Sequence, residues 1–285
     1  MADKRSVVAC IDGSAYAAAA CDAAVWAATK LDAPLTFVNV ISRRKHAAST
    51  DYSGQIGLGT REHLLTELAD LDGQRARLMR DRGRDFLDSA SRRAIDAGRP
   101  EPATCQRNGE LVDALYHMGD EPRLLALGKR GESAADDYHL GSNLERVIRG
   151  VSCPILVTNN SFTAPKRVLI AFDGSQTGQH VIERAVATPL LTEVEVHLVY
   201  VGQPNDQRRH QFDEAAEKLR TAGAQLTTAI IDGDVEPALH DYQRQHDLDL
   251  MVMGAYGHTR IRELLLGSTT TDMIRRADVP LLIVR

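Results

Sequence analysis

The sequence repeats itself once, and this internal repeat restricts the fold more than any other feature. Val7–Ser14 reads VVACIDGS, and Val168–Ser175 reads VLIAFDGS at an offset of 161 residues. Towards the end of each copy, Leu125–Thr158 aligns with Met251–Val284 at an offset of 126 residues. A repeat of this length indicates two copies of one domain.

The fall in the offset from 161 to 126 places 35 extra residues in the first copy. We predict a first domain over residues 1–160, with an inserted loop and long helix at about 42–98, and a second domain over residues 165–285. Within the insertion, Thr66–Gly98 is highly charged and carries apolar residues at helical spacing, which predicts a long amphipathic helix. The glycine-bearing residues 51–65 before it favour either a mobile lid over a ligand or a longer connection.

Each copy alternates short apolar runs with longer segments of helical periodicity. The runs of the first copy are Ser6–Ile11, Leu35–Val40, Ala103–Arg107, Arg123–Leu127 and Ile155–Thr158. Runs of Val, Ile and Leu without alternation are typical of strands that are covered on both faces. Strands that alternate with helices predict parallel sheets with right-handed crossovers. The predicted fold class is therefore α/β, with two tandem doubly wound five-stranded parallel-sheet domains.

Composition and charge exclude several classes of protein. The 285 residues are 43% hydrophobic and 26% charged, as in a globular protein. A net charge of −5 disfavours nucleic acid as a partner, and no apolar run is long enough to span a membrane. The start of the chain runs directly into a predicted strand, which argues against a signal peptide. Without C-x-x-C spacing, we expect reduced thiols and a cytoplasmic location; the cysteines are Cys10, Cys21, Cys105 and Cys153.

Two motifs of each copy are predicted to meet at one edge of its sheet. An Asp-Gly-Ser turn follows the first strand and begins at Asp12 in the first copy and at Asp173 in the second. If strands one and four are neighbours, both loops lie at the switch point, where open parallel sheets bind ligands. A glycine string follows the fourth strand and consists of Gly-x-x-Gly, nine further residues and Gly-Ser. Its members are Gly128, Gly131, Gly141 and Ser142 in the first copy, and Gly254, Gly257, Gly267 and Ser268 in the second.

The glycine string predicts a phosphate site. Gly254 and Gly257 permit positive φ and have no Cβ to obstruct a close ligand. Gly267–Ser268 opens a helix whose first amides lack partners within the helix, and such an end attracts an anion. Further hydroxyl and amide donors follow in sequence: Ser268 and Thr269 in the second copy, and Ser142 and Asn143 in the first.

The aspartates predict the other end of the ligand. The carboxylate of Asp12 or Asp173 would repel a phosphate, but it suits a sugar hydroxyl or the amino edge of a base. A phosphate end and a sugar–base end together indicate ATP. The plainer interpretation of Asp-Gly-Ser is an ordinary strand-to-helix turn, with Ser14 and Ser175 as helix N-caps.

Both copies resemble the universal stress protein family, and the whole chain is similar to its tandem, two-domain form. Nucleotide-binding members of that family carry the string G-2x-G-9x-G-(S/T), which is present here twice. The resemblance implies that Asp12 and Asp173 match the family's first-strand aspartate. It also implies that Val40 and Val201 match the valine that contacts adenine. It covers most of the chain and omits the insertion.

The resemblance implies an architecture as well. The fold would be Rossmann-like, of the adenine nucleotide alpha hydrolase type, with sheet order 3-2-1-4-5. The closing strands, "CPILV" and "VPLLIV", resemble the family's last strand, which commonly pairs antiparallel across a dimer interface. The two halves would then form an internal pseudo-dimer, and association into a homodimer stays open.

The two copies differ in the residues around the glycines. Second-copy cations could favour a polyphosphate, and they are His258, Arg260 and Arg262. The first copy has Lys129 and Arg130 in its tight turn, followed by carboxylates that could hold Mg²⁺ or Mn²⁺ beside phosphates or form a solvated loop: Glu132, Asp136 and Asp137.

The leading hypothesis is an ATP-binding protein with a sensory or regulatory role in the stress response, with an unidentified regulatory protein as partner. We expect no catalytic residues, since Walker A, G-x-G-x-x-G and G-x-S-x-G motifs are absent where such chemistry needs them. One alternative is slow ATP hydrolysis or autophosphorylation, with Ser142, Ser268 or Thr269 as acceptor. A second alternative is a nucleotide-free scaffold that associates through its last strands.

Overall fold

The computed structural model describes residues 5–42, 58–119, 121–132, 141–255 and 267–285, with the backbone alone at 58–65 and 142. The strands in this part of the chain are β1 Val7–Cys10, β2 Leu35–Ile41, β3 Ala103–Asn108, β4 Leu124–Gly128, β5 Ile155–Thr158, β6 Arg167–Ala171, β7 Glu195–Val201, β8 Gln225–Ile231, β9 Leu250–Gly254 and β10 Leu281–Val284. The helices are α1 Ala17–Lys30, α2 Leu58–Asp96, α3 Leu111–Tyr116, α4 Ser142–Gly150, α5 Gln176–Ala187, α6 Asp206–Thr221, α7 Val235–Gln245 and α8 Ser268–Arg276.

All of these strands join one sheet, in the order β3-β2-β1-β4-β5-β10-β9-β6-β7-β8. Neighbours are parallel except β5 and β10, which pair antiparallel with Leu156 opposite Leu282. Each half therefore has the predicted order 3-2-1-4-5, and the predicted pairing of the last strands is confirmed. Because that pair is antiparallel, the carboxyl ends of the strands in the two halves lie at opposite edges of the sheet.

Helices cover both faces of the sheet, which explains the continuous apolar strands. One core cluster places α1, α2, α5 and α6 against alternate strand residues such as Phe37 and Ile170, which are fully buried. A second cluster places α3, α4, α7 and α8 against the opposite face, where Leu125 and Leu169 are fully buried. The helices thus hold the strand ends in a fixed arrangement.

Helix α2 is much longer than its counterpart α6, with 39 residues against 16. The predicted amphipathic helix is confirmed, but it begins at Leu58 rather than near Thr66. The expectation of a loop at residues 51–65 is therefore wrong for 58–65, which are helical, and residues 51–57 lie outside the described chain. By contrast, α6 begins at Asp206, where the side chain of Asn205 caps it by accepting from the amide of Arg208 at 2.9 Å.

Side chains also join the two halves directly. The Nζ of Lys129 donates to the carbonyl of Ala277 at 3.0 Å, and the Nδ2 of Asn159 donates to the same oxygen at 3.2 Å. At the other end of the β5–β10 pair, Arg285, which follows β10, donates to the carbonyl of Val151 at 2.9 Å. These bonds fix the halves on either side of the β5–β10 pair.

Candidate functional site

The predicted switch points are present in both halves. In the first half β1 lies beside β4, with Val8 opposite Leu125. In the second half β6 lies beside β9, with Leu169 opposite Met251. The Asp-Gly-Ser turn and the start of the glycine string therefore leave the sheet side by side in each half.

In the first half the two motifs are in direct contact. The backbone amide of Glu132 donates to Asp12 Oδ2 at 3.1 Å. A Cβ added to Gly131 would lie 3.1 Å from the same oxygen. The string also folds back on itself, because a Cβ on Gly141 would lie 3.6 Å from the carbonyl oxygen of Lys129 and 3.7 Å from the amide nitrogen of Gly131. The bend and the start of α4 thus meet, as the spacing predicted.

In the second half the start of α8 is anchored to the end of β9. Thr270 Oγ1 donates to the carbonyl of Ala255 at 2.9 Å, from a buried position in the first turn of the helix. Gly267 occupies the N-cap without a side-chain hydrogen bond, and the first turn carries no acidic residue. Within the part of the chain that the structure describes, a Cβ on Gly267 would meet only Thr270 Oγ1, at 3.8 Å. This helix end is exposed, uncapped and positively polarised, and exposed Ser268 and Thr269 lie beside it.

The first glycine of each string has a different role from the one predicted. Neither Gly128 nor Gly254 adopts positive φ. A Cβ on Gly128 would lie 2.4 Å from Tyr16 Cβ, and a Cβ on Gly254 would lie 2.6 Å from Thr177 Cγ2. These glycines therefore let the starts of α1 and α5 approach the sheet, rather than opening space for a ligand. Gly257, His258, Arg260 and Arg262 lie outside the described residues.

The aspartates hold their own turns together. Asp12 Oδ1 accepts from the amide of Ser14 at 3.0 Å, and Asp173 Oδ1 accepts from the amide of Ser175 at 2.9 Å. Ser175 caps α5 as predicted by the plainer interpretation, but Ser14 does not cap α1, whose N-cap is Tyr16. Both carboxylates remain half-buried at the rim of the sheet.

The predicted adenine-contacting valines lie close to these turns. Val40 and Val201 are half-buried at the carboxyl ends of β2 and β7. The strand register places them beyond Val38 and Val199, whose carbonyls accept from Ile11 and Phe172, the residues before the turns. The structure thus brings the aspartate, the valine and the first glycine of the string of each half to the same edge.

Two side chains of α2 over the first turn, Arg82 and Phe86, were missed by sequence reasoning, and together with Glu132 from the loop after β4 we call them the α2 cluster. Phe86 Cζ lies 2.8 Å from the position of a Cβ on Gly13, and the carboxyl carbon of Glu132 lies 3.1 Å from it. Arg82 donates to Glu132 Oε1 at 2.9 Å and stacks over the Phe86 ring at 5.6 Å. The signal available in the sequence was the i, i+4 spacing of Arg82 and Phe86, which places both on one helix face.

The second turn is covered by smaller polar groups. Gln211 Oε1 and Arg208 Cγ lie 3.1 and 3.3 Å from the position of a Cβ on Gly174. The first half therefore has an aromatic ring and an ion pair over its turn, whereas the second half has an amide and an arginine stem.

The starts of α4 and α8 also differ in charge. Helix α4 carries Glu145 in its first turn, while α8 has no acidic residue there. The electrostatics favour an anion in the second half.

Lys129 does not face a phosphate position. Its side chain is buried and donates to Ala277 in the other half. Burial lowers its pKa, and the neighbouring Arg130 lowers that pKa further. Lys129 therefore belongs to the contact between the two halves rather than to the first cleft.

Metal-binding clusters and membrane helices are both absent from the described ranges. No three His, Cys, Asp or Glu side chains there come close enough to hold a metal ion, and Asp136 and Asp137 lie outside them. No helix in those ranges combines the length and apolar character needed to cross a bilayer. All four cysteines are free thiols.

The chain is similar to known proteins in both sequence and structure. Residues 4–159 and 165–285 each match the model of the Universal stress protein family. Universal stress protein Slr1230 of Synechocystis sp. is 35% identical over 99% of this chain and 100% of its own length. A universal stress protein from Archaeoglobus fulgidus superposes with a TM-score of 0.68 at 18% identity, covering 99% of this chain and 96% of that one. A functionally unknown protein, PA1789 of Pseudomonas aeruginosa, superposes with a TM-score of 0.61 at 15% identity, covering 99% and 92%. The two superpositions show the shared fold alone.

Proposed function

The chain belongs to the universal stress protein family, and on that premise we propose that it binds an adenine nucleotide, ATP before others, in the cleft of its second half and acts as a regulator in the stress response. One observation carries most of the proposal. The start of α8 is exposed, has no side-chain cap and no acidic residue in its first turn, and is tied to the end of β9 by Thr270. Such a helix end favours a phosphate.

Each part of the nucleotide has candidate partners in the second half. The amides and hydroxyls at Gly267, Ser268 and Thr269 would hold the phosphates, with Mg²⁺ or Mn²⁺ arriving bound to the nucleotide. Asp173 would accept from the sugar or the base, and Val201 would contact adenine. Gly257, which follows β9 in the glycine string, would complete the phosphate site, whereas Gly254 would serve the packing of α5 against the sheet.

The first half offers the same types of residue, but the α2 cluster covers its turn. A nucleotide there would use Asp12, Val40 and the string that ends at Gly141, Ser142 and Asn143, after the α2 cluster has moved. Because displacing that cluster costs free energy, we expect the first cleft to bind more weakly than the second.

Binding would regulate the protein by changing the surface that its glycine strings offer to a protein partner. A nucleotide shifts such an equilibrium only if its affinity differs between the two states. We place this regulation in the cytoplasm, because free thiols in every cysteine agree with a reducing compartment.

Native mass spectrometry of gently purified protein tests the proposal. We expect an adenine nucleotide to co-purify, and we expect added ATP to remain intact over hours. Release of ADP would favour the enzymatic alternative. Protein that carries no nucleotide and acquires none on addition of ATP would favour a scaffold that does not bind nucleotide.

A further inference from the structure

The outer part of α2 is a helix that is exposed on all sides. We call residues 66–80 the outer α2 segment; every residue from 66 to 78 is exposed. Leu68 and Leu71 are each 56% exposed, and Leu78 is 63% exposed. These three leucines are a large share of the exposed large hydrophobic side chains in the described chain, and they follow one another at i, i+3 and i+10 on one side of the helix.

A helix of this kind gains little from the rest of its own chain. Most helix stability in proteins comes from packing of an apolar face against a core, and residues 66–78 bury no such face against the described part of the chain. Gly73 in its interior costs about 1 kcal/mol relative to alanine. Exposed leucines on such a helix therefore indicate that something else packs against them.

The charges of the segment are separated by sign along its length. Glu67, Asp70 and Asp72 precede Gly73, with no cation among them. Arg75, Arg77 and Arg80 follow Gln74, with no carboxylate among them. One end of the segment therefore carries three negative charges, and the other carries three positive charges.

The two ends are complementary to each other residue by residue. If a second copy of the helix lies antiparallel about the midpoint of Gly73 and Gln74, every carboxylate lies at the level of an arginine. The apolar residues coincide in the same way, so that leucine lies level with methionine or alanine. The level pairs are Glu67 with Arg80, Asp70 with Arg77, Asp72 with Arg75, Leu68 with Met79, Ala69 with Leu78, and Leu71 with Ala76.

From this complementarity we propose that the outer α2 segment is a self-association surface, on which two copies of the chain pair their α2 helices antiparallel about a two-fold axis. Such an axis requires a surface that is complementary to itself, and the segment meets this in the order of its charges along the helix axis. A parallel arrangement would instead set Glu67 against Glu67 and Arg80 against Arg80, and like charges at close range are unfavourable. The surface is separate from both clefts, so this proposal does not depend on nucleotide binding.

Two charge-reversed forms of the full chain provide the test. The acidic form has only carboxylates as charged groups in the segment, because it carries Arg75→Glu, Arg77→Glu and Arg80→Glu. The basic form has only arginines as charged groups there, because it carries Glu67→Arg, Asp70→Arg and Asp72→Arg. By analytical ultracentrifugation we expect the unmodified chain to dimerise reversibly. We expect each reversed form to dimerise at least about tenfold more weakly, because its ends repel. An equimolar mixture of the two should regain dimers, since acidic segments then face basic ones.

Arg92→Glu is the matched control, because Arg92 lies on the same helix outside the segment and its Nε donates to the Asp88 carbonyl of its own helix. This change should leave dimerisation unaltered. Helix content measured by circular dichroism separates loss of pairing from loss of folding. A monomeric unmodified chain, or dimers that persist in both reversed forms, would overturn the proposal.

Discussion

At the scale of single residues, glycines of one motif do different physical work. Gly254 lacks a Cβ because Thr177 lies 2.6 Å from where that atom would stand, so its role is packing. Among the described residues, a Cβ on Gly267 would contact Thr270 Oγ1 at an ordinary 3.8 Å, and this glycine starts a helix. The spacing of the string predicted where the glycines would lie, but it could not separate these roles. Which atoms approach a glycine depends on the tertiary structure, and the sequence does not display that.

The α2 cluster permits a prediction about the first cleft. Arg82→Ala removes the ion pair with Glu132 and the cation above Phe86. Both partners of this pair are about half exposed, so the interaction contributes roughly 0–1 kcal/mol. In a Gly267→Val background, which obstructs the second cleft, we expect the first cleft to bind ATP up to about fivefold more tightly after Arg82→Ala. Fluorescence titration with a labelled ATP analogue measures this, with Arg92→Ala as control; an unchanged affinity would show that the cluster does not cover the site.

At the scale of elements, strands were predicted more accurately than α2. The run Leu35–Val40 became β2 Leu35–Ile41, because a strand buried on both faces must be apolar throughout. The start of α2 was missed because residues 58–65 include Gly59 and His63 and have no apolar run to mark a core-facing stripe. The approach of α2 to the Asp12 turn was missed because it joins segments that are about 70 residues apart in the sequence.

The packing of α7 predicts a pH dependence of stability. His240 on α7 is 3% exposed, and neither of its ring nitrogens has a hydrogen-bond partner among the described residues. Burial is the largest effect and lowers the pKa of His240. Glu236, at 3.6 Å, and Asp278 raise this pKa, whereas Arg244 and Lys129 lower it further. The unfolded chain therefore binds a proton at His240 more readily than the folded chain does. The stability conferred by neutral His240 is present above its unfolded pKa and is lost as the pH falls through that value towards the folded pKa.

We expect the free energy of unfolding to decrease by up to about 1.4 kcal/mol per pH unit from this group below about pH 6.5. Urea unfolding at pH 7.5 and pH 5.5 measures the change. His240→Leu should flatten the dependence, whereas His210→Gln on the exposed face of α6 should not. Equal pH dependence in the unmodified chain and His240→Leu would contradict the assignment.

At the scale of the whole molecule, the antiparallel β5–β10 pair makes two domains into one sheet. Leu156 is fully buried in that pair, opposite Leu282. We expect Leu156→Ala to cost about 2–5 kcal/mol and to lower the unfolding midpoints of both halves together. Hydrogen exchange and urea unfolding monitor each half; Val186→Ala, at a side chain that is 41% exposed, is the control. If only the first half were destabilised, the halves would not unfold as one unit.

The same pair sets the two clefts at opposite edges of the sheet, so each can be tested alone. Titration calorimetry tests most directly the central claim, that ATP binds at the start of α8. ATP is titrated into the unmodified chain, into Gly267→Val and into Gly141→Val. Within the described residues, a Cβ added at Gly267 comes no nearer to another atom than 3.8 Å, from Thr270 Oγ1, so a loss of binding by Gly267→Val would report on the ligand. We expect the unmodified chain and Gly141→Val to bind ATP, and we expect Gly267→Val to bind at least about tenfold more weakly, about 1.4 kcal/mol. No binding by the unmodified chain, or equal binding by Gly267→Val, would contradict an ATP site at the start of α8.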